Sequence, residues 1–286
     1  MVRKSRLRPF WGLFPGFALV FAVLILFPAC DVDLVGLFAS SEPDERFKSR
    51  NTFHFLSPAD LSLSLPSNYS FIVVSDTHIE DGNARGLEKI RDAAVAEGDA
   101  FVAVTGDITQ NGKREDLEKF IGIADSLRAA GIPCYPVIGN HDVYFNNWPN
   151  WRDLIGSSTY RVDSPNSSTT LFMLDSANGS FGKDQIDWLR EGLKSARPHV
   201  FIFTHANLFT ENLIDIEQIT DNRERARLLF LLDGRCDALF SGHVHNRITR
   251  KAGGVNYISL EDYRDNRTYC RVFVGPSGIS WEFKKL

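Results

Sequence analysis

Five apolar runs in this 286-residue chain each lead into a short polar tip, and the tips occur in a single order. The run Phe71–Ser75 leads into Asp76-Thr77-His78, Phe101–Thr105 into Gly106-Asp107, and Pro136–Ile138 into Gly139-Asn140-His141-Asp142. Val200–Phe203 then leads to His205, and Ala238–Phe240 to Gly242-His243-Val244-His245. Short runs rich in Val, Ile and Phe read as buried strands. Helical patterns fall between them. Ala84–Glu97 is one, and Leu117, Phe120, Ile121, Ala124 and Leu127 form the apolar stripe of the next, closed by Gly131 and Pro133. Leu171–Leu174 adds a strand; Lys183–Ser195 and Asp221–Leu232 add helices. Alternating strands and helices predict an α/β fold around a largely parallel sheet. Such sheets bind ligands beyond the carboxyl ends of their strands, so the five tips converge on one rim. Near the C-terminus Gly253–Leu260, Tyr269–Val274 and Gly278–Phe283 read as strands without helices, which predicts a second, antiparallel-leaning sheet.

The tips carry a restricted chemistry. Carboxylate, imidazole and amide oxygen suit Mn, Fe or Zn ions. Asp76 and His78 are two residues apart, so an extended chain aims both to one side. Asp107 has two carboxylate oxygens and can bridge two ions. The glycines before Asp107, Asn140 and His243 permit close approach of the backbone. Two ions about 3.5–4 Å apart would clamp the attacking and leaving oxygens of an in-line displacement and turn a bridging water into hydroxide. Singly, each tip is unremarkable: Gly-Asp is a common turn, Asp76 could cap one, and a lone histidine often sits satisfied in a core. Together they hold five of the seven histidines, leaving only His54 and His199 elsewhere. Packing alone does not concentrate histidines in this way.

From about Phe71 to Asn246 these blocks resemble the calcineurin-like metallophosphoesterase family. The resemblance implies a four-layer α/β/β/α sandwich with two facing sheets. It implies that Asp76, His78 and His245 hold one metal, that Asn140, His205 and His243 hold a second, and that Asp107 bridges them. His141 would then stand near the leaving group, with Asp142 orienting it. The cofactors would be two divalent or trivalent ions (Mn, Fe or Zn). The stretch Gly106–Gly112, the Gly139–Asp142 block, Leu174-Asp175-Ser176 and Gln185-x-x-Trp188-Leu189 look most like the class III cyclic-nucleotide phosphodiesterase branch. In that branch the single-histidine tip often continues His-Pro, whereas here His205 is followed by Ala206-Asn207.

The first 30 residues point elsewhere. Arg3, Lys4, Arg6 and Arg8 precede an uncharged run from Phe10 to Phe27, and Cys30 follows Pro28-Ala29. This is the pattern of a signal peptide or membrane anchor, and it resembles a bacterial lipoprotein signal with Cys30 as the lipidated residue. Residues 31–69 then read as a linker and peripheral segment, in which Phe53–Leu56 and Leu61–Leu65 could add strands, and residues 70–286 as the catalytic domain. The expected location is the periplasmic or extracellular side of the cell membrane. The formal net charge of −4, achieved despite the basic N-terminus, argues against binding a nucleic-acid duplex. The four cysteines show neither a disulfide framework nor a Cys-x-x-Cys pair.

The expected activity is therefore hydrolysis of a small phosphodiester or phosphomonoester. Cyclic nucleotides, nucleotides and lipid pyrophosphates are alternative substrates. A non-catalytic binding scaffold is the reading from another class, and retention of all seven metal-ligand positions argues against it.

Overall fold

The computed structural model describes residues 41–166, 169–209, 219 and 222–286. The apolar N-terminal run and Cys30 lie outside them. Strands β1 (Tyr69–Val74), β2 (Val102–Thr105) and β3 (Cys134–Val137) run parallel in the first sheet. Every residue of β2 and β3 is buried, as befits strands covered on both faces. The second sheet contains β4 (Tyr160–Asp163), β5 (Thr169–Met173), β6 (His199–Phe203), β7 (Ala238–Ser241), β8 (Ile248–Ala252) and β9 (Val255–Ser259). Its order is β4-β5-β6-β7-β9-β8, with β5, β6, β7 and β9 parallel.

The sheets meet through aromatic rings. Phe71 of β1 packs edge-on against Phe201 and Phe203 of β6 and Phe240 of β7, with centroids 5.2, 6.1 and 6.0 Å away. It also stacks on Phe101 at 4.4 Å. Along β6 the faces alternate with period two. Phe201 and Phe203 join the core between the sheets. Val200 and Ile202 belong to a second cluster with Ile186, Leu189 and Leu193 of helix Lys183–Lys194 and Leu228, Leu231 and Leu232 of helix Asn222–Leu232. On the first sheet pack Ile90 and Ala94 of helix Glu88–Glu97 and Leu117, Phe120, Ala124 and Leu127 of helix Arg114–Ala129. The layers run helix, sheet, sheet, helix, the expected four-layer α/β/β/α sandwich.

The C-terminal strands differ from expectation. They form no sheet of their own. β10 (Thr268–Gly275) pairs antiparallel with β1, and β11 (Gly278–Lys285) pairs with β10. The first sheet is thus ordered β11-β10-β1-β2-β3. β9 instead joins the second sheet, parallel to β7. The physical reason is edge pairing: β1 and β7 each present an unpaired backbone row that the returning chain covers. β8 was invisible in the sequence because only its first residue, Ile248, is even partly buried; it is a charged edge strand, Ile-Thr-Arg-Lys-Ala.

Residues 41–66 pack against the body. Phe53–Leu56 and Leu61–Leu65 form no strands; they contribute single bridges, Phe53 to Gly156 and Ser62 to Asp163. Phe47, Phe55, Leu56 and Leu65 are buried. Arg46, fully buried, grips Asp175 bidentately, Nε donating to Oδ2 and Nη2 to Oδ1, each at 2.7 Å. Among the described residues Cys134, Cys236 and Cys270 are free, buried thiols. No described helix is long and apolar enough to cross a membrane.

Candidate metal centre

All five tips sit where expected, just past the carboxyl ends of β1, β2, β3, β6 and β7. The first three come from one sheet and the last two from the other. Neighbouring tips stay laced together beyond the strands: Asp76 N donates to Gly106 O at 3.1 Å, and His78 N to Asp107 O at 2.9 Å.

Backbone conformation concentrates here. Among the described residues ten non-glycine residues have positive φ, and five of them are Asp76, His78, Asp107, His243 and His245. Such conformations cost on the order of 1–3 kcal/mol each and persist where the surroundings over-determine them. The glycines that precede the tips allow the convergence. A Cβ at Gly242 would collide with Ser75 Oγ and Asp76 Oδ2, and one at Gly139 with the amide and carboxylate of Asp107.

Three overlapping groups result: Asp76, His78 and His245; His78, Asp107 and His141; Asp107, His205 and His243. Within each, the donor atoms lie within 4.8 Å of one another. His78 Nε2 stands between the two carboxylates, 3.9 Å from Asp76 Oδ1 and 4.0 Å from Asp107 Oδ2. His245 Nε2 is 3.2 Å from Asp76 Oδ1. His205 Nε2 is 3.1 Å from Asp107 Oδ2 and 2.8 Å from Asn140 Oδ1. Asn140 Nδ2 donates to Tyr144 Oη at 2.7 Å, which turns Oδ1 toward His205.

The residues fit a metal pair, and His78 carries the test. Both of its ring nitrogens are buried without a hydrogen-bond partner. Buried polar atoms are nearly always satisfied, so an orphaned imidazole between two carboxylates marks a place for a cation. The electrostatics agree. Burial pushes Asp76 up, but the hydrogen bond and charge of His245, with His205, outweigh it and hold the carboxyl at about 2. Burial opposes the Asp107 charge in the same way, and His205 and His141 hold that carboxyl well below its ordinary value. Burial would lower His205 and His245 too, yet Asp107 raises the first to about 10 and Asp76 the second to about 9. Burial wins at His78 and His243, both lowered to about 4. The two carboxylates therefore favour positive charge beside them, which is what raises His205 and His245.

Tautomers follow from the backbone. His205 Nδ1 donates to Thr105 O at 2.9 Å, leaving Nε2 as the ligand atom. His141 Nδ1 donates to Gln110 O at 2.7 Å, leaving Nε2 facing Asp107 Oδ2 at 4.0 Å. Asp142, expected to orient His141, holds the loop carrying Asp107. It accepts from the amides of Ile108 (3.2 Å), Thr109 (2.8 Å) and Gly139 (2.9 Å) and from Thr109 Oγ1 (3.0 Å). The cause is reach: three converging amides on the Asp107 loop and at Gly139 capture a fully buried carboxylate. Burial, with Asp107 adding to it, pushes Asp142 up to about 6.

Ser176 was missed as a supporting residue. Its Oγ accepts from Thr204 Oγ1 (2.8 Å) and from the amides of His205 (3.1 Å) and Ala206 (2.8 Å). The Leu174-Asp175-Ser176 block thereby fixes the His205 loop, and Gln185 locks the block by donating to Asp175 O at 2.7 Å. The only sequence signal was its likeness to a family block.

Two facing mixed sheets with Asp, Asn and His tips meeting at one rim define a metallophosphoesterase-type protein. The calcineurin-like phosphoesterase family model matches residues 69–247, and the chain belongs to that family. A protein of Fibrobacter succinogenes (strain ATCC 19169 / S85), named "Probable cyclic nucleotide phosphodiesterase", is 24% identical over 168 residues. The match covers 57% of this chain and 60% of that relative's length. Among solved structures, a dimetal phosphatase from Danio rerio aligns with a TM-score of 0.61 at 14% identity, over 76% of this chain and 96% of that one. Purple acid phosphatase PPD1 from yellow lupin gives 0.60 at 14%, over 77% and 52%. GAP50, the anchor in the inner membrane complex of Plasmodium, gives 0.60 at 13%, over 77% and 85%. At these identities the structures share the fold.

Proposed function

We propose that this protein is a metal-dependent phosphoric ester hydrolase that uses two metal ions to cleave a phosphodiester or phosphomonoester. The observation that carries the reading is the shared position of Asp107 between two His/Asp groups, with the orphaned His78 imidazole beside it. Asp76, His78 and His245 would hold one ion, Asn140, His205 and His243 the other, and Asp107 both. The ions, when bound, would supply Lewis-acid activation of water and of the phosphoryl group. His141, its Nδ1 donating to Gln110 O, would act through Nε2 on the leaving oxygen, giving up a proton there from the doubly protonated ring. Asp142 holds the Asp107 loop in register. Cyclic nucleotides are one substrate class, favoured by the name of the Fibrobacter relative.

We also propose residues 70–286 as the catalytic domain, residues 31–69 as a linker and peripheral segment, and residues 1–30 as a signal or lipid anchor. This puts the domain on the outer side of the cytoplasmic membrane, in contact with a small phosphate ester there. The basic cluster, the apolar run and Cys30 support that location. Cys30→Ser should abolish lipid labelling in cells; continued labelling contradicts the lipoprotein reading. For the activity, purified protein loaded with Mn²⁺ should hydrolyse bis(p-nitrophenyl) phosphate. Metal binding without turnover of any phosphate ester contradicts it.

A further inference from the structure

Four rings lead outward from the centre. His78 and His141 have centroids 4.7 Å apart, His141 and Tyr144 4.4 Å, and Tyr144 and Phe145 6.1 Å. The first three are largely covered, with side-chain exposures of 1% and 19% for the histidines and a buried Tyr144, but Phe145 is 65% exposed. Among the described residues five large apolar side chains are exposed, and only Phe145 lies within three residues of one of the five tips. Its backbone is left-handed, φ 53° and ψ 33°, and Asn146 after it has φ 62°. A bulky residue adopts that conformation only where its surroundings impose it.

The imposing contacts are on both sides. Tyr144 is buried and its Oη accepts from Asn140, a candidate metal ligand. Asn147 N donates to Tyr144 O at 3.0 Å, and Asn147 Nδ2 to Asn111 O at 2.8 Å. Asn150 Nδ2 secures Gly112 O at 2.9 Å. The loop is thus pinned before and after its apex, and the apex holds a phenyl ring in water. A ring that is mostly exposed, edge-on to Tyr144 at a strained position next to the candidate site, is placed for binding.

We propose that Phe145 forms an aromatic subsite for the leaving-group side of the substrate, which therefore carries a planar ring such as a nucleobase or aryl group rather than a small alkyl alcohol. The inference rests on the phosphoesterase reading, because it takes His141 as the group nearest the leaving oxygen. Stacking of a base on an aromatic side chain is worth about tenfold or more in affinity. Phe145 selects the substrate and takes no part in the bond-making step.

The test uses full-length protein loaded with Mn²⁺ and calorimetric binding of benzylphosphonate and methylphosphonate, neither of which is hydrolysed. Wild type should bind the benzyl compound about tenfold more tightly. Phe145→Ala should bring the two affinities together, Phe145→Tyr should keep the preference, and methylphosphonate affinity should be the same in all three. A preference retained in Phe145→Ala, or no preference in wild type, overturns the subsite. Hydrolysis of bis(p-nitrophenyl) phosphate, measured on the same wild-type sample, reports separately on the underlying activity. Loss of the ring preference in a wild type that still hydrolyses the diester sinks the subsite alone; a wild type without turnover sinks both.

Discussion

His141 donates from Nδ1 to the carbonyl oxygen of Gln110, 2.7 Å away, and this backbone contact fixes the ring on the loop after β2. The loop after β2, which supplies the proposed bridging carboxylate Asp107, thereby also aims the proposed proton donor. His141 belongs to one of the three groups able to hold a cation, so its role needs separating from that of a ligand. His141→Ala should lower the rate on bis(p-nitrophenyl) phosphate by about 10²–10⁴ while leaving metal content per chain unchanged. Elemental analysis beside steady-state kinetics checks this. Loss of a metal in parallel with the rate would make His141 a ligand.

Ser176 holds the His205 loop through three hydrogen bonds to its Oγ. Removing partners that orient a metal-binding histidine typically costs 10–100-fold in affinity. Ser176→Ala should weaken Mn²⁺ binding by about that factor. Calorimetric titration of metal-depleted protein reads the change directly, and unaltered affinity would show that the loop is held by other contacts.

The sequence disclosed the site better than its supports. Asp76, His78, Asp107, Asn140, His141, His205, His243 and His245 stood out because their residue types are chemically restricted and each follows an apolar run. The left-handed backbones of Asp76, His78, Asp107, His243 and His245 did not, since φ at Asp76 or His245 depends on a partner strand far along the chain. Ser176, Gln110 and Thr105 act through a hydroxyl or a backbone carbonyl, which any sequence position offers. The fold was legible to the same extent. Parallel strands announced themselves as apolar runs, whereas the destination of β10 and β9 depended on which sheet edge lay open. The charged strand β8 had no apolar signal at all.

The ion pair between Arg46 and Asp175 fastens the peripheral segment to the loop carrying Ser176. Removing one partner of a buried pair leaves the other charged without compensation, at a cost of about 3–5 kcal/mol. Arg46→Ala should lower stability by that amount in urea unfolding. The double variant Arg46→Met, Asp175→Leu should recover most of it. Equal loss in single and double variants would mean that packing, not charge, is responsible.

The three described thiols report on unfolding. Burial pushes Cys134 and Cys270 up to about 12 and raises Cys236 as well. An unfolded thiol ionises near pH 8.5 and the folded one only far above it, so the folded state is favoured below that pH. That contribution is lost progressively as pH rises from about 9 toward 12. Iodoacetamide at pH 8.5 should leave all three unmodified in native protein and label all three in urea, as mass spectrometry of the peptides would show. Rapid labelling of Cys134 or Cys270 in native protein would contradict their burial.

Asp107 is proposed to bridge a metal pair. Anomalous scattering from a crystal grown with Mn²⁺ tests it most directly. Two peaks about 3.5–4 Å apart are predicted, with Asp107 touching both, Asp76, His78 and His245 around one, and Asn140, His205 and His243 around the other. A single peak, or two peaks that do not share Asp107, would contradict a metal pair bridged by Asp107.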